Sequence, residues 1–500
     1  MVIKLVLLVI FFSIMIAVGL ICRKKATNVN EFVLGGRNVG AWLTAFAYGT
    51  SYFSAVIFVG YSGQFGWKYG VASTWIGIGN ALLGTLLAWV VLGKRTRIMT
   101  HHLKSKTMPD FFEKRFGSKG LKMFASLIVF VFLIPYTASL YNGLSRLFGM
   151  AFNIDYTYCV IIMAVLTGIY VIAGGYMATA INDFIQGIIM LGGIVAVVVS
   201  VLNQNGGFTE ALNSLSQVSD SANNVETGGL TSLFGPDPVS LLGVVILTSL
   251  GTWGLPQMVH KFYAIKDDKS IKTGAIISTI FAAVIAGGCY FLGGFGRLYH
   301  TVDIAKGYDQ IIPTMLSSLS DLLIGIVIIL VLSASMSTLS ALVLTSSSTL
   351  TLDFIKGTVV KQMKDKTQLF VMRIFISVFI LISVIIAIIQ YKSKVTFIAQ
   401  LMGVSWGALA GSFLAPFFYG LFWKRVNKYA VYTCFIFASG FILINMIFNQ
   451  IFPKILQSPI NAGAFVMLAG MILVPVVSLI TGKPDKVVTE HAFSCMSNDK

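Results

Sequence analysis

The sequence predicts an all-α membrane protein of thirteen transmembrane helices, the central ten forming an inverted five-plus-five helix repeat in which the first helix of each half is broken. Three observations predict it. Hydrophobic residues make up 56% of the chain and charged residues only 11%, whereas soluble domains carry about 25% charged residues. Stretches of about 20 apolar residues, long enough to cross a hydrocarbon core of about 30 Å as a helix, recur from end to end. Two of them, each heading a group of five, are interrupted near the middle by Gly and small polar residues, and such paired interruptions point to a transporter's midplane site.

Taken in order, residues 1–39 hold an extra N-terminal span at 3–22 and a cytoplasmic link. The opening apolar run is longer than a leader peptide's, no A-x-A site follows it, and Arg23, Lys24 and Lys25 cap its inner end, so it reads as a retained span. The first five-helix unit covers 40–203, with spans at 40–62, 70–93, 121–149, 156–174 and 183–203. Its first span is broken at Gly49-Thr50-Ser51-Tyr52-Phe53-Ser54. An external loop follows at 204–238. The second unit covers 239–422, with spans at 239–260, 273–296, 320–350, 371–391 and 396–422. Its first span is broken at Gly251-Thr252-Trp253-Gly254-Leu255-Pro256-Gln257, where Pro256 removes a backbone donor and obstructs the preceding turn. Five is odd, so the second unit runs inverted. Spans at 429–451 and 461–481 fill 423–482, and a cytoplasmic tail covers 483–500. The plain alternative for either break is a small-residue contact between closely packed helices.

The net charge of +17 follows this topology rather than nucleic acid. With the N-terminus outside, 28 of 36 Lys and Arg fall in cytoplasmic segments, including Lys356 to Arg373 and the tail. Five (Lys68, Lys306, Lys392, Lys394, Lys454) fall in external loops, and Lys4, Arg146 and Arg297 lie near span ends. The positive-inside rule then places the protein in the cell membrane with its C-terminus cytoplasmic. The external loop carries Glu210, Asp220, Glu226 and Asp237 but no Lys or Arg. Five scattered cysteines suggest neither a disulfide framework nor a metal site. Membrane lipid is the expected surrounding, with no nucleic acid and no obligate protein partner.

Enzymes, proton pumps and metal transporters need titratable or ligating groups at membrane depth. The five histidines (His101, His102, His260, His300, His491) sit in loops or at span ends. Among the acidic residues Asp183 begins a span; it reads either as an ion-pathway carboxylate or as that span's N-cap. Asp155, Asp321 and Asp353 read as caps or interface residues. A cation handled without a buried carboxylate is held by neutral oxygens, which suits Na+. The span from 320 carries the densest polar run, Ser333 to Ser340. Its residues 334, 337, 338 and 341 share one face, which presents the hydroxyls of Ser337 and Thr338, although such hydroxyls also bond back to their own helix.

Together these segments resemble the sodium:solute symporter family, which includes proline, pantothenate and sugar symporters. The resemblance covers nearly the whole chain. It rests on Glu31-Phe32-Val33-Leu34-Gly35-Gly36-Arg37, Gly174-Gly175 with Asp183 and Gln186, Gly254-Leu255-Pro256-Gln257 followed by Lys266-Asp267, and Met336-Ser337-Thr338-Leu339-Ser340. It implies a LeuT-like fold and no enzymatic activity. The implied function is secondary active transport: sodium-coupled symport of an amino acid such as proline, of pantothenate or of another carboxylate into the cell. A sugar or monocarboxylate is the alternative solute, and a cation channel the rival function. The implied Na+ site comprises backbone carbonyls of Thr50, Phe53 and Ala334 and the hydroxyls of Ser337 and Thr338. Some relatives hold a second sodium near residues matching Asp183, Ser337 and Ser340; Ala341 stands where a further hydroxyl is expected. Solute-binding candidates are Ser51, Ser54, Tyr136, Thr252, Trp253, Gln257 and Trp406, whose alternative is helix packing. Proline symporters of the family carry aromatic residues where this chain has Thr248 and Thr252, and an aspartate at Tyr52. The Gly-Leu-Pro-Gln stretch is closer to the pantothenate branch.

Overall fold

Polar side chains open many of the helices. In the computed structural model the side chains of Asp155, Asp237, Asp267 and Asn427 each accept a hydrogen bond from a first-turn amide of the helix they precede, replacing an intrahelical partner that a helix start lacks. The structure describes residues 2–24, 26–152, 154–221, 225–299, 304, 307–360, 362–393 and 398–496. Lys25, His300, Lys306, Lys361, Lys394 and Lys500, which enter the sequence reading above, lie outside the described residues.

The cap role thus holds for Asp155 but not for its two companions. Asp321 lies in the first turn behind the cap Ser320 and pairs with Lys4 at 2.8 Å. Asp353 is no cap: it is buried at the end of the polar helix, accepts a hydrogen bond from Thr107 Oγ1 at 2.5 Å and lies 3.6 Å from the Lys122 ammonium.

Among the described residues ten helices are long and apolar enough to cross a membrane, or eleven when Pro238–Gly254 and Pro256–Ala264, which meet at 44°, count as one bent span. There is no named strand among them. The count differs from thirteen for local reasons. The first broken span contributes only Ala41–Tyr52 before its break. The stretch Val56–His102 runs on without a gap through Gly70, at φ 60°. The 49 residues Tyr156–Gln204 form two helices joined without a loop at a kink, Gly175 (φ 57°, ψ −148°), a conformation only glycine adopts readily. Asp183 therefore does not begin a helix. It sits two turns beyond Gly175, which removes the N-cap reading.

Four stretches are π-helical: Val56–Tyr61, Asn80–Leu87, Trp89–Gly93 and Leu350–Val359. The helices Asp321–Thr349 and Ile398–Phe422 are buried along most of their length. Helix Val2–Arg23 lies at the edge, exposing Ile3, Val9, Ile14 and Ile21.

Contacts sort the connections onto two sides. On one, Val39 pairs with Ile265, the Arg37 guanidinium donates to Tyr263 O and Ser105 O, and Arg97 meets Asp268 at 2.9 Å. On the other, Arg297 pairs with Asp220 at 2.7 Å and donates to Trp67 O, Trp75 Nε1 donates to Leu233 O, and Arg146 lies 3.7 Å from Asp309. Outside the break, the first broken span is pressed on the Asp268–Gly293 helix so closely that a Cβ on Gly66 would lie 2.0 Å from Gly293 O.

Candidate functional site

The helix Ala41–Tyr52 stops because Phe53 turns extended (φ −99°, ψ 123°). The chain resumes when the amides of Ile57 and Phe58 both bond to Ser54 O at 3.0 Å. A helix end leaves its last carbonyls without intrahelical amides. Here the polar helix supplies hydroxyl donors in their place: Ser337 Oγ and Thr338 Oγ1 donate to Thr50 O at 3.1 and 3.3 Å, and both lie 3.1 Å from Ala334 O of their own turn. Thr338 Oγ1 also lies 3.5 Å from Ser51 O.

Of the five Na+ residues expected, Thr50, Ala334, Ser337 and Thr338 therefore bring four neutral oxygens together in a fully buried spot. Phe53 lies at the same break and shares a small cleft with Ser54 and Ala334. Hard oxygens without a formal charge suit a monovalent cation, which would take the place of these hydrogen bonds. Among the described residues Ser340 Oγ bonds only to Ser337 O, at 2.9 Å, so back-bonding accounts for it. No cluster of His, Cys, Asp or Glu able to hold a metal occurs among the described residues.

The helix that carries Asp183 packs on the broken span beside this junction. Gly187, one turn on, packs on Phe46 and Thr50. Contrary to the expectation of no buried carboxylate, the Asp183 side chain is fully buried, 3.7 Å from the buried Lys261 ammonium, which lies 5.3 Å from the Tyr176 ring centroid. The charge count places Lys261 among the 28 cytoplasmic basic residues, but the structure buries it one turn beyond the Pro256 break, where ionisable groups are costly unless paired.

The solute candidates divide. Trp406 stacks on Tyr52 (centroids 5.7 Å, planes 22° apart) and meets Tyr136 edge-on (5.9 Å, 86°). Trp406 Nε1, Tyr136 Oη and Ser51 Oγ are buried without a hydrogen-bond partner, which folded proteins rarely leave so. Ser54 is drawn into the restart of the helix, its Oγ accepting from the Val56 amide at 3.3 Å. Thr252 and Trp253 turn away, donating to Gly84 O at 2.7 Å and Leu83 O at 2.9 Å; their contacts are helix packing. Gln257 is buried just past the second break with both amide atoms unpartnered. Tyr52 was missing from the sequence-derived set. Its place inside the first break was the available signal, and its hydroxyl donates to Thr248 O at 2.5 Å.

The sequence profile of the sodium:solute symporter family matches residues 32–437. The chain belongs to the sodium:solute symporter family. Among curated members, the sodium/proline symporter of Staphylococcus aureus (strain JH9) is 30% identical over 496 residues, covering 96% of this chain and 92% of the relative. The osmoregulated proline transporter OpuE of Bacillus subtilis (strain 168) is 27% identical over 484 residues, covering 95% and 94%. These symporter-family relatives are named as transporters, not enzymes. The fold matches the substrate-bound, outward-open structure of a Na+-coupled sialic acid symporter, with TM-score 0.75, 17% identity and coverage of 97% and 99%. A closed-state nucleobase-cation-symport-1 family transporter matches with TM-score 0.50, 13% identity and coverage of 92% and 97%.

Proposed function

We propose that this protein couples inward Na+ movement to uptake of a small amino-acid solute of the proline type by alternating access. The observation that carries the reading is the junction at which Ser337 and Thr338 of the polar helix bond to Thr50 O, the carbonyl freed by the break. The relatives move the emphasis from pantothenate to proline. The aromatic group of Tyr52, Tyr136 and Trp406 suits a small ring carrying an ammonium group, which gains from stacking and from cation–π attraction.

Uptake into proteoliposomes tests this. Labelled proline should accumulate only with an inward Na+ gradient, and unlabelled proline should compete better than pantothenate, sugars or monocarboxylates. Accumulation with K+ in place of Na+ would remove the coupling. Trp406→Ala should raise the solute KM about tenfold, the scale of about 1–2 kcal/mol for losing one aromatic wall, while Trp406→Phe retains most of the affinity. An unchanged KM in Trp406→Ala would move the solute elsewhere.

We also infer thirteen crossings with the N-terminus outside and the C-terminus cytoplasmic, 40–203 and 239–422 forming the inverted repeat between the extra span of 1–39 and the last two spans of 423–482. The two-sided grouping of connections supports this, as does the length of Tyr156–Gln204, which at about 1.5 Å per residue exceeds two bilayer cores. An impermeant maleimide should label Ser221→Cys in intact cells, and Lys364→Cys only after permeabilisation. The reverse pattern would invert the topology.

A further inference from the structure

We propose that a lysine-lined cleft at the foot of the polar helix, built from the 103–122 connection and residues 352–356, binds a phosphate group. The cleft is about 250 Å³. Its two carboxylates, Asp110 and Asp353, and the neighbouring Glu113 are engaged by two lysines. Lys114 meets Asp110 at 2.9 Å, and Lys122 meets Asp110 at 3.0 Å, Glu113 at 3.0 Å and Asp353 at 3.6 Å. Lys104, Lys106 and Lys356 line the same cleft, and among the described residues none of the three forms an ion pair with a carboxylate.

Three further features single this cluster out from an ordinary solvated basic loop. Lys106 and Lys356 are half-buried. Burial, and then the Lys356 charge, hold the Lys106 ammonium below its ordinary pKa, a cost that a bound anion would remove. Lys104 has a left-handed backbone (φ 51°), unusual for a residue with a side chain, and its carbonyl accepts a hydrogen bond from the Lys114 ammonium at 2.9 Å. That bond holds the turn between Lys104 and Lys106 over the cleft. Lysines bind phosphate as point charges, and several acceptor oxygens on one small group can serve several ammonium donors. An occupied cleft would tie the Lys104–Lys106 turn to the end of the helix bearing Ser337 and Thr338.

The group could come from an anionic lipid headgroup or from free phosphate, and two measurements on the full chain separate these. Native mass spectrometry would score retention of phosphatidylglycerol against phosphatidylcholine, and calorimetry would follow inorganic phosphate. Lys106→Gln and Lys356→Gln should each weaken binding about fivefold, the equivalent of about 1 kcal/mol per basic group facing an anion. Lys266→Gln, an exposed lysine on another connection, should leave it unchanged. Folding of each variant is checked by its thermal unfolding without added anion, and because the single variants are read separately, one that fails to fold leaves the other to decide. Lipid-selective binding lost in the lysine variants assigns a headgroup site; phosphate binding lost in them assigns a free-anion site. Binding of neither probe, or binding indifferent to Lys106 and Lys356, overturns the proposal.

Discussion

Ser337→Ala and Thr338→Ala should each weaken Na+ binding by about 1–3 kcal/mol, roughly 5- to 150-fold, because each removes one oxygen from a site with few ligands and leaves a buried carbonyl short of a partner. Solute affinity at limiting sodium should fall with it, since coupling between two ligands is reciprocal. Saturating sodium should restore most of the solute affinity. Ser333→Ala is the control: Ser333 is buried in the same helix but bonds to neither broken-span carbonyl. Sodium titrations of uptake check all three. Wild-type sodium dependence in both site variants would sink the assignment, and a solute defect that sodium cannot rescue would turn it into a packing role.

Asp183→Asn alone should destabilise the protein by about 3–5 kcal/mol, because it strands the Lys261 ammonium in a fully buried place. Lys261→Met alone should do the same to the carboxylate. The double variant carries no buried charge and should recover most of the lost stability, so thermal unfolding of the set reports the pair. Transport by the double variant then separates two roles. A folded double variant with reduced sodium turnover places Asp183 on the ion pathway; one that transports normally leaves the pair structural. If Asp183→Asn unfolds like wild type, the pair itself is refuted.

The broken span was legible because Gly49 to Ser54 replaces aliphatic residues where lipid-spanning helices need them, and the polar face of 334, 337 and 338 follows from helical periodicity alone. Their meeting was not legible, because it depends on Thr50 and Ser337 being neighbours across 287 positions of chain. The same limit hid the partner of Asp183. Local pattern reads a carboxylate near a helix start as a cap, but the helix already restarts at the Gly175 kink, two turns before Asp183, and Lys261 lies on a different span. Asp353 was misplaced for a related reason. Its immediate neighbours in sequence, Leu352 and Phe354, are apolar, while the groups that hold it, Thr107 and Lys122, come from a distant connection. Thr252 and Trp253 show the opposite failure: residues at a break need not face into it.

The backbone contact between Gly66 and Gly293 bears on how the first span could swing. With no side chain between the two helices, there is no rotamer freedom to absorb relative motion, and packed backbones move as one body. The outer half of the broken span is therefore yoked to the Asp268–Gly293 helix. Any tilt of that unit has to be taken up at the break around Phe53, whose dihedrals are already non-helical. The hinge then adjoins Thr50 and Ser51, whose carbonyls face the polar helix, so displacing Ser337 and Thr338 from Thr50 would loosen the segment next to the pivot.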